Sequence, residues 1–336
     1  MREGREGPRA EDREWCPVKS PGPMEQGSNA GQNGAMARAK YDLKAVVAGL
    51  RGDVHFNEPL RNWTSFRIGG PADVLVVPVD VDDVCRLVRQ AHAQKAPIFV
   101  LGGTNVLVRD GGVRGVVLSL SRLTAVRDDA NAVVYAEGGV GMPTLMKHAI
   151  SRSLTGLEWA AGIPGTVAGC VVMNAGTRLG EMKDCLKAVR LVTPRAAVED
   201  FSASAIEFSY RRALLPQGIV VGAWVQLKPG DRQRIERTVK EYLQQRKDTQ
   251  PLSLPSAGCV FKNPGHDAAG RLIERAGLKG ARVGDAQVSE KHANFVVNVG
   301  QARAADVIEL IKKIGRTVEA KTGITLQLEL RIVGQP

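Results

Sequence analysis

The chain of 336 residues is 43% hydrophobic and 24% charged, which is ordinary for a globular protein of two or three domains. Its formal net charge of +11 favours an anionic partner, such as nucleic acid, a membrane surface or a diphosphate. The aromatic content of 4% argues against stacking platforms for single-stranded nucleic acid. No run of about 18 apolar residues is present to span a membrane, and the N-terminus has no apolar core of a signal peptide.

The five cysteines are widely scattered, and none of them belongs to a CxxC pair: Cys16, Cys85, Cys170, Cys185 and Cys259. Neither a disulfide framework nor a metal site is therefore indicated. We expect a protein of the reducing cytoplasm, with no bound metal and no membrane insertion.

Residues 1–40 have scarcely any apolar periodicity, and their Gly, Pro, Arg, Glu and Ser content predicts a disordered tail. From Tyr41 onwards, helices are predicted where apolar residues recur at helical spacing. They lie after Tyr41, after Asp82 and Asp83, after Pro143, after Asp231, over Ala268–Ala276, and from Ala304 to Val318. Asp82 and Asp83 are candidate caps of the second of these helices, and Asp231 is the expected cap of the fourth. Strands are predicted over Val74–Pro78, Ile98–Leu101, Gly115–Leu120, Val133–Ala136, Ala188–Val192, Val220–Leu227, Lys291–Asn298 and Ile324–Ile332.

Two glycine-rich stretches are candidates for ligand binding through the backbone. Gly102-Gly103-Thr104-Asn105 follows the strand Ile98–Leu101 and has the form of a phosphate-cradling turn. It lacks the GxGxxG spacing and the Walker lysine, so a plain turn between strands is the alternative. Residues 156–176 contain five glycines and very little charge. Such a segment packs its backbone either against a large flat ligand or against another loop.

Polar residues with candidate chemistry stand at four further places. Arg211 follows Tyr210, and it is either an anion-binding residue or a solvated charge. Cys259 follows a small Ala-Gly pair and is either a reactive thiol or a buried apolar side chain. His292 is either a ligand contact or a structural histidine. Period-two alternation places Glu329 on the polar face of the last predicted strand.

Taken together, these stretches resemble the FAD-dependent UDP-N-acetylenolpyruvoylglucosamine reductases of peptidoglycan synthesis, over about residues 45–334. The stretches that carry the resemblance are Thr64–Ala72, Gly103-Thr104-Asn105, Gly162–Gly165, Asn174–Gly176, Tyr210-Arg211, Ala257–Pro264 and Glu329–Gly334. Each stretch is a weak signal alone, but their order is specific. The chain looks like the shorter subtype, because little separates Tyr210 from the helix at Asp231.

The resemblance implies an α/β (α+β) fold with a two-part FAD-binding domain of the vanillyl-alcohol-oxidase (PCMH) type and a smaller C-terminal α/β substrate domain. We place the FAD-binding domain at residues 41–230, with its two subdomains split near residue 120. The substrate-binding domain is placed at residues 231–336, after a boundary at 228–232.

The resemblance also implies the reaction, which converts UDP-N-acetylenolpyruvoylglucosamine to UDP-N-acetylmuramate. NADPH delivers hydride to FAD, and the reduced flavin passes hydride to the enolpyruvyl group. Cys259 would be the proton donor, and Arg211 and Glu329 would be the other catalytic residues. The implied cofactor contacts are Gly102, Gly103, Thr104, Asn105, Gly162, Ile163, Pro164, Gly165 and Asn174. The implied substrate contacts are Tyr210, Lys262, Asn263 and His292, with the Arg246-Lys247 pair as weaker candidates for the diphosphate.

The family usually has serine where this chain has Cys259. Because a thiol has a pKa of about 8.5, we expect the neutral thiol to donate the proton and its ionisation to limit turnover at alkaline pH. Two rival functions are another FAD-dependent oxidase or dehydrogenase of the same superfamily, and a basic nucleic-acid-binding protein. Low aromatic content and dispersed charge weigh against the second. The oligomeric state is not indicated.

Overall fold

The computed structural model describes residues 41–265 and 267–336; the tail predicted over residues 1–40 lies outside them. Every predicted helix is present, and a further short helix stands in the glycine-rich stretch. The helices are α1 (Leu43–Val47), α2 (Val81–Ala93), α3 (Met142–Ser151), α4 (Val167–Val172), α5 (Arg232–Thr249), α6 (Ala269–Arg275) and α7 (Ala304–Thr322). Within the described ranges, none of them combines the length and apolarity that crossing a bilayer requires.

The strands are β1 (Asp53–Pro59), β2 (Pro71–Val77), β3 (Ile98–Val100), β4 (Val106–Val108), β5 (Val113–Leu118), β6 (Val126–Asp129), β7 (Val133–Glu137), β8 (Leu154–Thr155), β9 (Gly176–Thr177), β10 (Gly180–Glu181), β11 (Leu186–Val192), β12 (Val198–Ser202), β13 (Glu207–Ser209), β14 (Arg212–Leu214), β15 (Ile219–Gln226), β16 (Lys228–Pro229), β17 (Ser256–Cys259), β18 (Arg282–Val283), β19 (Ala286–Val288), β20 (Phe295–Asn298) and β21 (Arg331–Val333). They form three larger sheets, ordered β1-β2-β5-β3, β12-β11-β15-β7-β6 and β17-β20-β19-β18, and four two-stranded pairs. The first sheet mixes parallel and antiparallel pairs, whereas the second and third are antiparallel. The change from the first sheet to the second falls between Leu118 and Val126.

The helix caps agree with the sequence at α5 but not at α2. Asp231 accepts a hydrogen bond from the backbone N of Arg234 at 2.7 Å, as its position before the apolar residues predicted. At α2 we expected Asp82 and Asp83 to cap, but the N-cap is Asp80, whose Oδ1 accepts from the backbone N of Asp83 at 2.9 Å. The Asp83 carboxylate instead turns inward and accepts from the backbone N of Gly52 at 2.9 Å.

The strand predicted over Ile324–Ile332 is mostly wrong. Only Arg331–Val333 is a strand, and Leu328 forms an isolated bridge with Phe261. Most apolar side chains in this stretch are more buried than their polar neighbours, as the alternation predicted. However, residues 324–330 do not form one ladder, because Leu328 pairs with Phe261 whereas Arg331–Val333 pairs with β4. Glu329 therefore lies between Leu328, which pairs with Phe261, and Arg331, which pairs with Val106 of β4.

Apolar packing joins the C-terminal part of the chain to the preceding part. Phe66, Ile68 and Leu107 are buried in the same cluster as the apolar faces of α6 and α7. The parallel pair β4–β21 makes a second connection, from Arg331↔Val106 to Val333↔Val108. The structure therefore fixes the C-terminal sheet against the loops that precede it.

Helix α5 follows the boundary expected at residues 228–232, but it packs against residues that come before this boundary in the sequence. Its buried residues Ile235 and Val239 share a small cluster with Met146 of α3 and with Ala161. The buried residues of the C-terminal core begin later, at Ala257. The division into two domains near residue 230 stays a prediction. Helix α5, which was assigned to the second domain, contacts the first.

Candidate active site

One cavity of about 2340 Å³ lies where the two parts of the chain meet. It is larger than the pockets of about 300–1,000 Å³ that hold drug-sized ligands. Its walls come from the loop after β3, the glycine-rich loop before α4, the β13–β14 hairpin, the end of α5, β17 and the segment before β21. The space is therefore sufficient for a dinucleotide and a second ligand together.

The loop of residues 102–105 offers unsatisfied backbone donors to this cavity. The N–H groups of all four residues donate to no other group in the described part of the chain. A Cβ on Gly102 would meet nothing within 4 Å, so the backbone there is open to a ligand. Gly103 has a φ of +77° and its Cβ would lie 2.8 Å from the Trp63 carbonyl oxygen. Backbone N–H groups that lack an internal partner, in a glycine loop beside a cavity, are suited to binding phosphate oxygens.

The second glycine loop lines the same cavity and lies close to the first, since a Cβ added at Gly165 would lie 3.6 Å from Thr104 Oγ1. Gly162 and Gly165 have N–H groups without a partner among the described residues, and Gly162 has a φ of +76°. Side-chain space at Gly162 is filled by Arg246, whose Cδ would lie 3.1 Å from an added Cβ. Thr166 then caps α4 by accepting from the backbone N of Gly169. Both loops thus approach a ligand with backbone and not with bulky side chains.

Arg211 stands at the tip of the β13–β14 hairpin. Tyr210 and Arg211 form its two-residue turn, and Arg211 has a φ of +59°, a strained conformation for a residue with a side chain. Its guanidinium carbon lies 4.9 Å from the centre of the Tyr210 ring. Its Nε donates to Glu329 Oε1 at 2.9 Å, and the two side chains are 20% and 14% exposed. The Arg211 terminal amino groups donate to no group in the described ranges.

Cys259 lies beside Arg211 and Glu329, because the next residue, Val260, is hydrogen-bonded to the backbone of Glu329. A register shift interrupts the β17–β20 pairing between Ser256 and Cys259, where Gly258 takes a φ of +78°. The backbone N of Glu329 then donates to the Val260 carbonyl at 2.9 Å. The buried Asn294 side chain closes the arrangement, because it both accepts from the backbone N of Phe261 and donates to its carbonyl.

Burial and charge set the protonation of these groups. Burial, reinforced by the Glu329 carboxylate and opposed by Arg211 and Arg246, raises the pKa of Cys259 to about 12. Burial likewise raises the pKa of Glu329, against the attraction of Arg211 and Lys262. The Cys259 thiol is therefore neutral at physiological pH and holds a proton next to a guanidinium.

Two family models match the chain in sequence order. An FAD binding domain matches residues 72–202, and the UDP-N-acetylenolpyruvoylglucosamine reductase C-terminal domain matches residues 250–333. The UDP-N-acetylenolpyruvoylglucosamine reductase of Syntrophus aciditrophicus is 44% identical over 302 residues, which are 88% of this chain and 96% of that protein. The chain belongs to the UDP-N-acetylenolpyruvoylglucosamine reductase family.

Two further comparisons agree with this membership. The UDP-N-acetylenolpyruvoylglucosamine reductase of Caldanaerobacter subterraneus is 43% identical over 87% of this chain and 97% of that protein. The crystal structure of UDP-N-acetylenolpyruvylglucosamine reductase from Thermus caldophilus superposes with a TM-score of 0.73 at 38% identity, covering 85% of this chain and all of that one. The predicted fold class, an FAD-binding domain of the PCMH type followed by a smaller domain, is confirmed.

FAD is the cofactor, as the resemblance implied: the matched FAD binding domain contains both glycine loops. The N–H groups that lack a partner among the described residues, together with the open face of Gly102, fit the phosphate groups of this cofactor. The reductase is accordingly an FAD-dependent oxidoreductase.

The structure brings most of the predicted site residues to the one cavity. The predicted residues that line it are Gly102, Gly103, Thr104, Asn105, Gly162, Ile163, Pro164, Gly165, Arg211, Cys259, Lys262 and Glu329. Their separate stretches are thus parts of a single site.

Five predicted residues lie elsewhere, the first of them Lys247, whose carbonyl accepts a hydrogen bond from Lys291 Nζ. Asn174, fully buried, donates to Glu181 and to the Ser209 carbonyl and accepts from the backbone N of Lys183, so its side chain supports the hairpin of Arg211 and leaves no group for the cofactor. Asn263 Oδ1 accepts from the backbone N of Ala269, at the start of α6. The His292 ring packs edge-on against Phe295, its Nδ1 accepts from the backbone N of Asn294, and burial lowers its pKa. Tyr210 is 48% exposed beside Arg211.

Two residues of the site were not recognised from the sequence. Asn294 was read only as part of a predicted strand, although a buried asparagine beside a candidate thiol needs partners for both ends of its amide. Ser65 lies in the Thr64–Ala72 stretch, and its hydroxyl donates to the Ser256 carbonyl at 2.7 Å. No local pattern indicates either contact, because both partners come from distant parts of the chain.

Proposed function

We propose that the protein reduces UDP-N-acetylenolpyruvoylglucosamine to UDP-N-acetylmuramate, with NADPH as the source of hydride. The observation that carries the proposal is the arrangement of Arg211. Its Nε is held by Glu329, while its terminal amino groups have no hydrogen-bond partner among the described residues, at the wall of a cavity that Cys259 also lines. A guanidinium in this state binds a carboxylate through two parallel hydrogen bonds, which suits the carboxylate of the enolpyruvyl group.

When bound, FAD supplies the hydride acceptor and donor of the reaction. Arg211 binds the substrate carboxylate and stabilises the negative charge that develops on it. The neutral thiol of Cys259 then protonates the adjacent carbon, and its raised pKa keeps the proton available until that charge forms. Glu329 orients Arg211 through its hydrogen bond to Nε.

The substrate contacts belong to the same proposal. Lys262 lines the cavity and its ammonium lies near Glu329, so it is the first candidate for the diphosphate. Tyr210 does not line the cavity, but it is exposed beside Arg211 and would contact a ligand that extends from Arg211 along the hairpin tip. Asn263 and His292 each keep one polar nitrogen, Nδ2 and Nε2, without a hydrogen-bond partner among the described residues, and these nitrogens would make the substrate contacts. Arg246 is held by Ala161 and Gln250 at the cavity wall.

A cytoplasmic location is part of the proposal. The four cysteines that the structure describes are free, which is typical of proteins in a reducing compartment.

A two-step spectral experiment tests the function. The flavoprotein is mixed anaerobically with NADPH, and we expect the flavin absorbance to bleach. Adding UDP-N-acetylenolpyruvoylglucosamine should restore the absorbance with formation of UDP-N-acetylmuramate. Bleaching without reoxidation by this substrate would support another FAD-dependent oxidoreductase of the same superfamily, and no bleaching would reject NADPH as the reductant.

A further inference from the structure

The flavin-binding loop and Glu329 are joined by Asn105. Its Nδ2 donates to the Glu329 carbonyl oxygen at 3.2 Å, and its own carbonyl accepts from the backbone N of Arg331 at 3.3 Å. The two hydrogen bonds join Asn105 to Glu329 and to Arg331, on either side of Leu330. They lie directly before the first pair of the β4–β21 ladder, Arg331↔Val106. Asn105 thus extends the contact between the two parts of the chain up to Glu329.

The Glu329 carbonyl depends on this amide. Among the described residues it accepts from Asn105 and from no other group. On the other side of the peptide chain, the N–H groups of Glu329 and Leu330 both donate to the Val260 carbonyl, next to Cys259. The backbone of Glu329 is therefore held between the Cys259 segment and the flavin-binding loop, and a carbonyl that loses its partner loses a fixed position.

The position of the Glu329 backbone determines where its side chain holds the Arg211 guanidinium. Its Oε1 accepts from Arg211 Nε at 2.9 Å, and Arg211 has no other hydrogen-bond partner in the described part of the chain. A shift of the Glu329 backbone would move the guanidinium. Displacements of about 1 Å in a group that orients a substrate cost on the order of 100-fold in rate.

We propose that Asn105 is a positioning residue that couples the flavin-binding loop to the Arg211–Glu329 pair. Its main-chain N–H belongs to the free donors of the loop, while its side-chain amide fixes Glu329. Flavin that orders the loop would thereby also order the residues that act on the second substrate. The inference rests on the proposed function for its kinetic consequence, but not for its structural one.

The kinetic test separates the two half-reactions in anaerobic stopped-flow. Asn105→Asp keeps the shape and replaces the donor by an acceptor that repels the Glu329 carbonyl. With FAD saturating, we expect Asn105→Asp to slow reoxidation by UDP-N-acetylenolpyruvoylglucosamine by at least about tenfold more than it slows flavin reduction by NADPH. Asn131→Asp, at an exposed turn before β7, adds the same charge and should change neither rate. Equal changes in both half-reactions, or unchanged reoxidation, would overturn the proposal.

Hydrogen exchange tests the same link without turnover. In wild type, peptides covering residues 326–333 should exchange more slowly with FAD bound than without it. Asn105→Asp and the milder Asn105→Ser should abolish this difference and exchange faster already in the FAD-free state, so the test stands even where a variant fails to retain flavin. Wild-type exchange in both variants refutes the coupling. Failure of the proposed function has a different signature, namely a wild-type flavin that the substrate does not reoxidise.

Discussion

Replacing Cys259 tests both its role and the effect of burial on it. Cys259→Ala removes the proton donor without adding bulk, and we expect reoxidation of the reduced flavin by substrate to slow by about 10²–10⁴-fold, the usual contribution of a positioned acid. Flavin reduction by NADPH should stay near the wild-type rate, because no proton from Cys259 enters that step. Cys259→Ser restores a donor and should recover most of the rate.

The pH dependence follows from the raised pKa. A donor acts in its protonated form, so its contribution is lost as the pH rises through its pKa. At an ordinary thiol pKa of about 8.5, about 97% of the thiol would be ionised at about pH 10, whereas at a pKa of about 12 the ionised fraction is about 1%. The sequence alone led us to expect that ionisation would limit turnover at alkaline pH; burial moves that limit beyond about pH 10.

The assay is the reoxidation rate constant of wild type and Cys259→Ser between about pH 7 and pH 10. We expect parallel profiles for the two proteins. An alkaline loss near pH 9 in wild type that Cys259→Ser lacks would refute the argument from burial. Wild-type activity in Cys259→Ala would refute the assignment of the donor itself.

Three further predictions concern the charge pair, the cofactor loop and a helix cap. Arg211→Lys should lose about 10²–10³-fold in reoxidation rate, because lysine cannot hold Glu329 and a carboxylate together; a loss below about tenfold would contradict this. Gly102→Ala should fold normally but bind FAD more weakly, since its Cβ would point into the open space that the ligand needs. Gly103→Ala should also lower the melting temperature, because its Cβ would meet the Trp63 carbonyl. Equal melting temperatures for the two variants would count against this contrast. Asp110 accepts from the backbone N of Ala304 and Ala305 at the start of α7, so Asp110→Ala should reduce the free energy of unfolding by about 0.5–2 kcal/mol in urea titration; no change would show that water replaces the cap.

Local patterns were sufficient for elements whose burial follows from their own periodicity. Helix α7 has apolar residues at helical spacing, so its start and its buried side were predicted, but it continues four residues past Val318 to Thr322, where Gly323 ends it in the left-handed conformation. The β13–β14 hairpin was not, because Arg211 occupies a positive φ that glycine or asparagine usually takes. Its conformation is supported by Asn174, a contact between residues far apart in the chain.

The membership of the site was predictable from motif order, but its geometry was not. Arg211 and Glu329 are separated by 118 positions, and no periodicity relates them. The contact arises because residues 324–330 leave one pairing partner for another, whereas alternation alone predicted one continuous strand. The predicted roles of Asn263 and His292 rested on motif position, and their hydrogen bonds within the C-terminal part depend on a backbone path that the sequence does not reveal.

The parallel pair β4–β21 has a consequence for synthesis on the ribosome. Strand β4 lies in the first third of the chain, but its partner follows every other described element. The loop that precedes β4 cannot take its final surroundings until nearly all of the protein has left the exit tunnel, since chains emerge from the N-terminus. A nascent chain that terminates before Arg331 would therefore lack the strand that pairs with β4 and the part of the cavity wall that this strand supplies.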